Sequence, residues 1–99
     1  MIDCSHANSS KDHNRQPVVA RHVARQIRNG NRSIMGMMIE SNLEAGNQPL
    51  HADRSQMRYG VSVTDACIDW PTTESLLREI AAELGDALVS RSPARKGAN

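Results

Sequence analysis

The chain has 99 residues, a length that suits one small domain. Its 12 basic and 11 acidic residues give a formal net charge of +1, which argues against a broad basic surface for nucleic acid or anionic membranes. Aromatic residues make up 2% of the chain and Phe is absent, so there is little bulky side-chain volume for an independent core. We therefore expect the chain to be part of a larger structure.

The sequence has no stretch with the ~18 to 20 apolar residues of a transmembrane helix, and its start lacks the pattern of a signal peptide. Its cysteines, Cys4 and Cys67, lie far apart and form no CxxC motif. Isolated thiols of this kind do not indicate a disulfide framework. These features favour a cytoplasmic protein with no membrane partner.

The beginning of the chain runs from the apolar Met1 and Ile2 into a polar cluster that contains His6. This pattern predicts the end of a buried strand that opens into a loop. His6 would then stand where parallel α/β folds keep their chemistry. A lone histidine more often only hydrogen-bonds a loop backbone, so a functional role for His6 depends on its neighbours.

A helix and a second strand come next. Pro17 is suited to a first helical turn, Val19, Val23 and Ile27 recur at helical spacing, and Gly30 is suited to the end of the helix. The near-continuous apolar run 33–41 predicts a strand buried on both faces that ends at Glu40. The polar connection that follows, roughly 17 residues long, is of a length that is more often functional than idle.

A third short strand is predicted over residues 61–68, with Asp65 near its far end. The segment Trp70-Pro71-Thr72 then starts a helix whose apolar residues are spaced by one, three and four: Leu76, Leu77, Ile80, Ala81, Leu84, Ala87 and Leu88. We expect one unit over residues 1–91 and a disordered tail over residues 92–99. The order β-α-β-loop-β-α predicts an α/β fold with parallel strands.

Three side chains, His6, Glu40 and Asp65, fall at the carboxyl ends of these three predicted strands. Neighbouring parallel strands lie about 4.8 Å apart, so the side chains can converge above the sheet. An imidazole and two carboxylates suit a divalent cation such as Mn²⁺, Fe²⁺, Co²⁺ or Zn²⁺. Each residue also has an ordinary explanation, Glu40 as a loop-facing carboxylate and Asp65 as a turn cap.

Three segments carry a family resemblance, namely IDCSHANSSK, GMMIESNLEAGNQ and YGVSVTDACIDW. In order and spacing they resemble the last three β/α units of the type I 3-deoxy-D-arabino-heptulosonate-7-phosphate (DAHP) synthases, which catalyse the first step of the shikimate pathway. The resemblance covers residues 1 to about 90. The segment Asp69-Trp70-Pro71 departs from the family pattern, in which Gly-Trp and an acidic residue are common, and this departure leaves the start of the last helix open.

The resemblance implies an incomplete (β/α)₈ TIM barrel whose metal is held by His6, Glu40 and Asp65, with a cysteine thiolate from the barrel's first strand as fourth ligand. It implies condensation of phosphoenolpyruvate with erythrose 4-phosphate, with His6 and Asp65 as catalytic residues and Asp65 also approaching the sugar phosphate. The first strand and the phosphate-binding arginines and lysines of the family are not in this chain. A homo-oligomer is implied for a full-length member.

Other interpretations stay open at this point. The chain is alternatively a non-catalytic remnant, or a metal-binding and interaction module that docks to a separate N-terminal partner. Nucleic-acid binding through Arg91, Arg95 and Lys96 is disfavoured, since three basic residues in a tail give weak contact. Cys4 is expected in the core, whereas Cys67 is as compatible with the site as with the core. We expect the 99 residues alone to be inactive and unstable.

Overall fold

The computed structural model describes residues 1–91, so the predicted tail over residues 92–99 lies outside the described part. Short 3-10 turns cover His6–Ser9, His13–Arg15 and Arg54–Gln56. The regular elements are, in chain order, β1 (Ile2–Asp3), α1 (Gln16–Arg28), β2 (Met37–Met38) and α2 (Trp70–Arg91). Neither helix is long and apolar enough to cross a membrane.

The two strands pair in parallel, with Ile2 opposite Met37 and Asp3 opposite Met38. One further backbone bond extends the pairing, because the Cys4 N–H donates to the Met38 carbonyl at 2.9 Å. Helix α1 forms the crossover between the strands, as parallel pairing requires. The prediction of a β-α-β unit with parallel strands is therefore confirmed.

The second strand is much shorter than the predicted run over residues 33–41. Its ladder covers only Met37 and Met38. The Asn31 side chain accepts hydrogen bonds from the N–H groups of Ser33 and Ile34, at 2.8 and 3.3 Å. Such local bonds offer the backbone an alternative to a sheet ladder, so the chain turns before β2 begins.

The prediction of a continuous third strand over residues 61–68 was wrong. Within residues 1–91 the segment makes only isolated bridges, in which Ser62, Cys67 and Ile68 take part. The Thr64 N–H donates to the Ser62 hydroxyl oxygen at 3.1 Å, a local turn that competes with strand pairing. The sheet of the described residues therefore has two strands.

Helix α1 buries one stripe and exposes its arginines. Proline stands in its first turn, and Gly30 follows its end with φ 108°, a conformation that favours glycine. Its buried positions recur at helical spacing, as predicted, although they include one polar residue at the beginning: Gln16, Ala20, Val23, Ala24 and Ile27.

Helix α2 begins where the sequence predicts. The Asp69 carboxylate accepts a hydrogen bond from the Thr72 N–H at 2.9 Å and so caps the first turn. Leu76 and Leu84 are buried, whereas Leu77 and Leu88, which belong to the same run of apolar residues, are each about half exposed. The physical reason is helical geometry, because Leu77 points about 100° around the helix from Leu76.

The core joins both helices to the sheet in two adjoining clusters. One holds Val23, Ala24, Ile27, Ile34 and Leu84, and the other holds Cys4, Ala20, Ile68 and Leu76. Cys4 is fully buried, which confirms its expected place in the core. The second cluster lies directly behind the polar end of β1, since Cys4 comes two residues before His6.

Much apolar surface stays open to solvent. Met35 and Tyr59 are 88% and 89% exposed. A groove of about 500 Å³ runs along α1, and its apolar lining includes Ile2, Val18 and Ile34. A two-stranded sheet also presents unpaired N–H and C=O groups on its free edges.

We predict that residues 1–99 expressed alone are not a stable monomer. A domain has only ~5 to 15 kcal/mol of net stability, and bare apolar surface and open strand edges reduce that margin while favouring association. Sedimentation velocity is expected to show self-association, and thermal circular dichroism to show a broad loss of helix signal. A monomer with one sharp unfolding transition would contradict this prediction.

Candidate metal centre

His6 lies three residues beyond β1, at the start of a 3-10 turn. Its φ of 51° is in the left-handed region, which is uncommon for any residue with a side chain. Such a conformation costs about 1 kcal/mol, and residues held in it cluster at functional sites. Half of the side chain is exposed, so the imidazole is open to an incoming group.

Asp3 orients the imidazole of His6. Its Oδ2 lies 2.8 Å from His6 Nδ1, while its Oδ1 accepts a hydrogen bond from the Ser5 N–H at 2.7 Å. A carboxylate on one ring nitrogen fixes the tautomer and leaves the other nitrogen, Nε2, to bind a metal. Asp3 is not among the site residues predicted from the sequence. The available signal was an acidic residue inside an otherwise apolar strand start, three positions before the histidine.

Glu40 lies two residues beyond β2 and is brought next to His6 by the parallel pairing. Its Oε1 lies 3.6 Å from His6 Nε2. The Ser5 hydroxyl donates a hydrogen bond to the same Oε1. Ser5, which is also not among the residues predicted from the sequence, therefore holds the carboxylate of Glu40 beside the imidazole.

Asp65 reaches the site from irregular backbone, not from the end of a strand as predicted. Its Oδ2 lies 2.9 Å from His6 Nε2. The backbone around it is held by other parts of the loop, since the Asn47 side-chain amide donates to the Thr64 carbonyl at 3.0 Å. Gly46 and Cys67 also exchange two backbone hydrogen bonds, at 2.9 and 3.1 Å.

The structure brings His6, Glu40 and Asp65 together, with one ligand atom from each lying within 4.8 Å of the others. Ligand atoms bonded to one ion at 2.1 Å are separated by about 3.0 Å at right angles and about 3.4 Å at tetrahedral angles. The distances from His6 Nε2 to Asp65 Oδ2 and Glu40 Oε1, 2.9 and 3.6 Å, are close to these values. The donor set therefore fits a divalent ion.

The carboxylates around His6 stabilise its protonated form. The hydrogen bond with Asp3, followed by that with Asp65, raises the pKa of His6 from its usual 6.5 to about 9. The hydrogen bond to His6 is in turn the main reason why the pKa of Asp3 is lowered. These hydrogen bonds thus favour an imidazolium at this position, and a cation bound at Nε2 would take the place of its proton.

A cavity of about 300 Å³ opens around these side chains. Its lining residues are polar or small: Ser5, His6, Lys11, His13, Glu40, Asn47, Asp65 and Ala66. Cys67 does not line it. The side chain of Cys67 is buried and lies 3.5 Å from the Asp65 carbonyl, so it belongs to the packing beneath the site.

The chain matches the model of the DAHP synthetase I family over residues 1–78. It is 59% identical over 91 residues to the Tyr-sensitive phospho-2-dehydro-3-deoxyheptonate aldolase of Escherichia coli (strain K12), a match that covers 92% of this chain and 26% of the relative. A putative phospho-2-dehydro-3-deoxyheptonate aldolase of Schizosaccharomyces pombe is 54% identical over 83 residues, which cover 83% of this chain and 23% of the relative.

A solved structure agrees with these matches. The phospho-2-dehydro-3-deoxyheptonate aldolase from Francisella tularensis SCHU S4 superposes with a TM-score of 0.76 at 45% identity, covering 86% of this chain and 24% of that one. The chain thus spans about a quarter of the length of the relatives it matches. Since the family model matches well over half of its residues, the chain belongs to the DAHP synthetase I family.

Proposed function

We propose that this chain forms the last three β/α units of a cytoplasmic (β/α)₈ barrel that condenses phosphoenolpyruvate with erythrose 4-phosphate. The products are DAHP and phosphate, in the first step of the shikimate pathway. The observation that carries the proposal is the convergence of His6, Glu40 and Asp65 on one point in a chain of this family. The relatives are named for the same product, phospho-2-dehydro-3-deoxyheptonate.

The three side chains fit a divalent ion, and each would offer it one atom: Nε2 of His6, Oε1 of Glu40 and a carboxylate oxygen of Asp65. When bound, Mn²⁺, Fe²⁺, Co²⁺ or Zn²⁺ supplies Lewis-acid polarisation of a carbonyl oxygen. Asp3 keeps the imidazole turned so that Nε2 faces the site. The Ser5 hydroxyl orients the Glu40 carboxylate through its hydrogen bond to Oε1.

The reaction forms a bond between C3 of phosphoenolpyruvate and the aldehyde carbon of erythrose 4-phosphate. Water adds at C2, the bond from C2 to the phosphate oxygen breaks, and inorganic phosphate leaves. Asp65 is 59% exposed, so its carboxylate is free to accept a hydrogen bond from a hydroxyl of the sugar phosphate. Residues that bind the two phosphates, and the fourth metal ligand, are expected from the rest of the barrel.

The proposal is tested in a hybrid barrel, the Escherichia coli relative in which the matched residues of this chain replace its own segment. At 59% identity over the exchanged residues the hybrid is expected to fold. It should release phosphate when given both substrates and Mn²⁺. A folded hybrid that binds Mn²⁺ without turnover would instead support the docking-module alternative.

Replacing His6 or Glu40 by Ala in the hybrid barrel is predicted to lower Mn²⁺ affinity by at least about 100-fold and to abolish phosphate release. The loss of a direct ligand should exceed the ~10 to 100-fold cost of losing an outer-shell partner. Metal content by mass spectrometry and a phosphate assay measure both effects. His22→Ala, on the exposed face of α1, is the matched control and should change neither. Near-normal metal content in His6→Ala would refute the ligand assignment.

A second prediction concerns the proton at His6 in the metal-free hybrid. The raised pKa means that charged His6 stabilises the fold below about pH 6.5, and that this contribution is lost as the pH rises through about 9. Diethyl pyrocarbonate modifies only neutral imidazole, so peptide mapping should show His6 protected until the pH approaches 9. Asp3→Asn removes the largest cause of the shift and should move this protection to lower pH.

Asp86→Asn, in α2 and outside the cavity, is the control for that change of charge. It should leave the modification profile of His6 as it was. An unchanged profile in Asp3→Asn would show that Asp3 does not control the protonation of His6.

A further inference from the structure

Gln16 is a polar residue on the buried stripe of α1. Its side chain is completely buried, and the other buried positions of the stripe are apolar. A buried amide is costly unless its hydrogen-bonding groups find partners, and packing alone would be served better by an apolar side chain. A glutamine at this buried position therefore needs a specific hydrogen-bonding partner.

That partner is the backbone of Glu40. The Gln16 Nε2 donates to the Glu40 carbonyl at 3.0 Å, and the Glu40 N–H donates to Gln16 Oε1 at 2.8 Å. Both ends of one amide thus pair with both backbone groups of one residue. The reverse orientation of the amide would set donors against donors and acceptors against acceptors, so the two bonds fix the side chain uniquely.

The backbone of Glu40 needs this support because it lies beyond the sheet ladder. The backbone pairing of β1 with β2 ends where the Cys4 N–H donates to the Met38 carbonyl. Gln16 takes the place of a strand neighbour at Glu40. The Glu40 carbonyl also accepts a hydrogen bond from the Ile68 N–H at 3.1 Å, so one oxygen joins α1, the end of β2 and the segment that follows Asp65.

We propose that Gln16 is a positioning residue for the metal centre. Its two hydrogen bonds fix the position and orientation of the Glu40 backbone so that Oε1 faces His6 Nε2. Because the Glu40 carbonyl also accepts from the Ile68 N–H, Gln16 helps to position the segment that carries Asp65. This inference rests on the proposed metal site. Among the described residues the side-chain hydrogen bonds of Gln16 go to the Glu40 backbone and not to the three ligand atoms, so its effect is on their arrangement.

The test uses the hybrid barrel with Gln16→Met, which keeps the length and shape of the side chain and removes both hydrogen bonds. Gln26→Leu is the matched control, because Gln26 lies on the exposed face of the same helix. The readouts are the dissociation constant for Mn²⁺ by electron paramagnetic resonance, the visible absorption spectrum of the Co²⁺ form, and the melting temperature.

Gln16→Met is expected to weaken Mn²⁺ binding by ~10 to 100-fold, as losses of outer-shell partners do, and to shift the Co²⁺ absorption bands. Gln26→Leu should leave both unchanged. If Gln16→Met lowers only the melting temperature, with the same Mn²⁺ affinity and Co²⁺ spectrum, Gln16 is merely structural and the inference is overturned.

A failure to fold is covered by Gln16→Asn, which keeps the amide but is one methylene too short to reach both backbone groups of Glu40, and is expected to show weaker Mn²⁺ binding with an altered Co²⁺ spectrum. Unchanged values in that variant would also overturn the inference. Metal binding and spectra need no turnover, so a hybrid that binds Mn²⁺ without releasing phosphate would refute the proposed reaction and still decide the role of Gln16.

Discussion

The parallel pairing of β1 with β2 is the constraint on which the candidate site depends. With Asp3 opposite Met38, the chain leaves both strands at the same edge of the sheet, so His6 and Glu40 meet after only a few further residues. Antiparallel strands would send these residues to opposite ends. Helix α1 makes the parallel arrangement possible, because its 13 residues cover about 20 Å and return the chain to the start of the sheet.

Electrostatics gives the site its preference for a cation. The carboxyl groups of Asp3, Glu40 and Asp65 lie around one imidazole. The hydrogen bonds with Asp3 and Asp65 raise the pKa of His6 and so favour its protonated form. The ring nitrogens are not equivalent, since Nδ1 faces Asp3 while Nε2 faces both other carboxylates. In the proposed metal site a proton and the ion would compete for Nε2, whereas the hydrogen bond between Nδ1 and Asp3 is compatible with either.

Buried glutamines replace missing strand contacts twice in this fold. Gln16 pairs with the backbone of Glu40, and Gln48 pairs with the backbone of Arg58 and Val61 at 2.8 to 2.9 Å. The second of these closes the long loop between β2 and the segment that carries Asp65. Irregular backbone is thus held without a ladder, because backbone groups of Glu40, Arg58 and Val61 find partners in these two side chains.

The sequence by itself determined the helices and indicated three side chains that the structure brings together. Apolar spacing located α1 and α2, because burial of one helix face imposes a period that can be read without a structure. The residue types at 6, 40 and 65 pointed to a metal for the same reason, since ligand chemistry is a property of the side chain.

Only the tertiary structure decided how these residues are held. Ser5 and Gln16 act through hydrogen bonds to Glu40, which lies 35 and 24 residues away in the chain, and no local pattern identifies such a partner. The predicted third strand failed for the same reason. A β-branched run favours a strand, but whether a ladder forms depends on which backbone lies alongside it. At Thr64 the Ser62 hydroxyl and the Asn47 side chain satisfy the backbone instead.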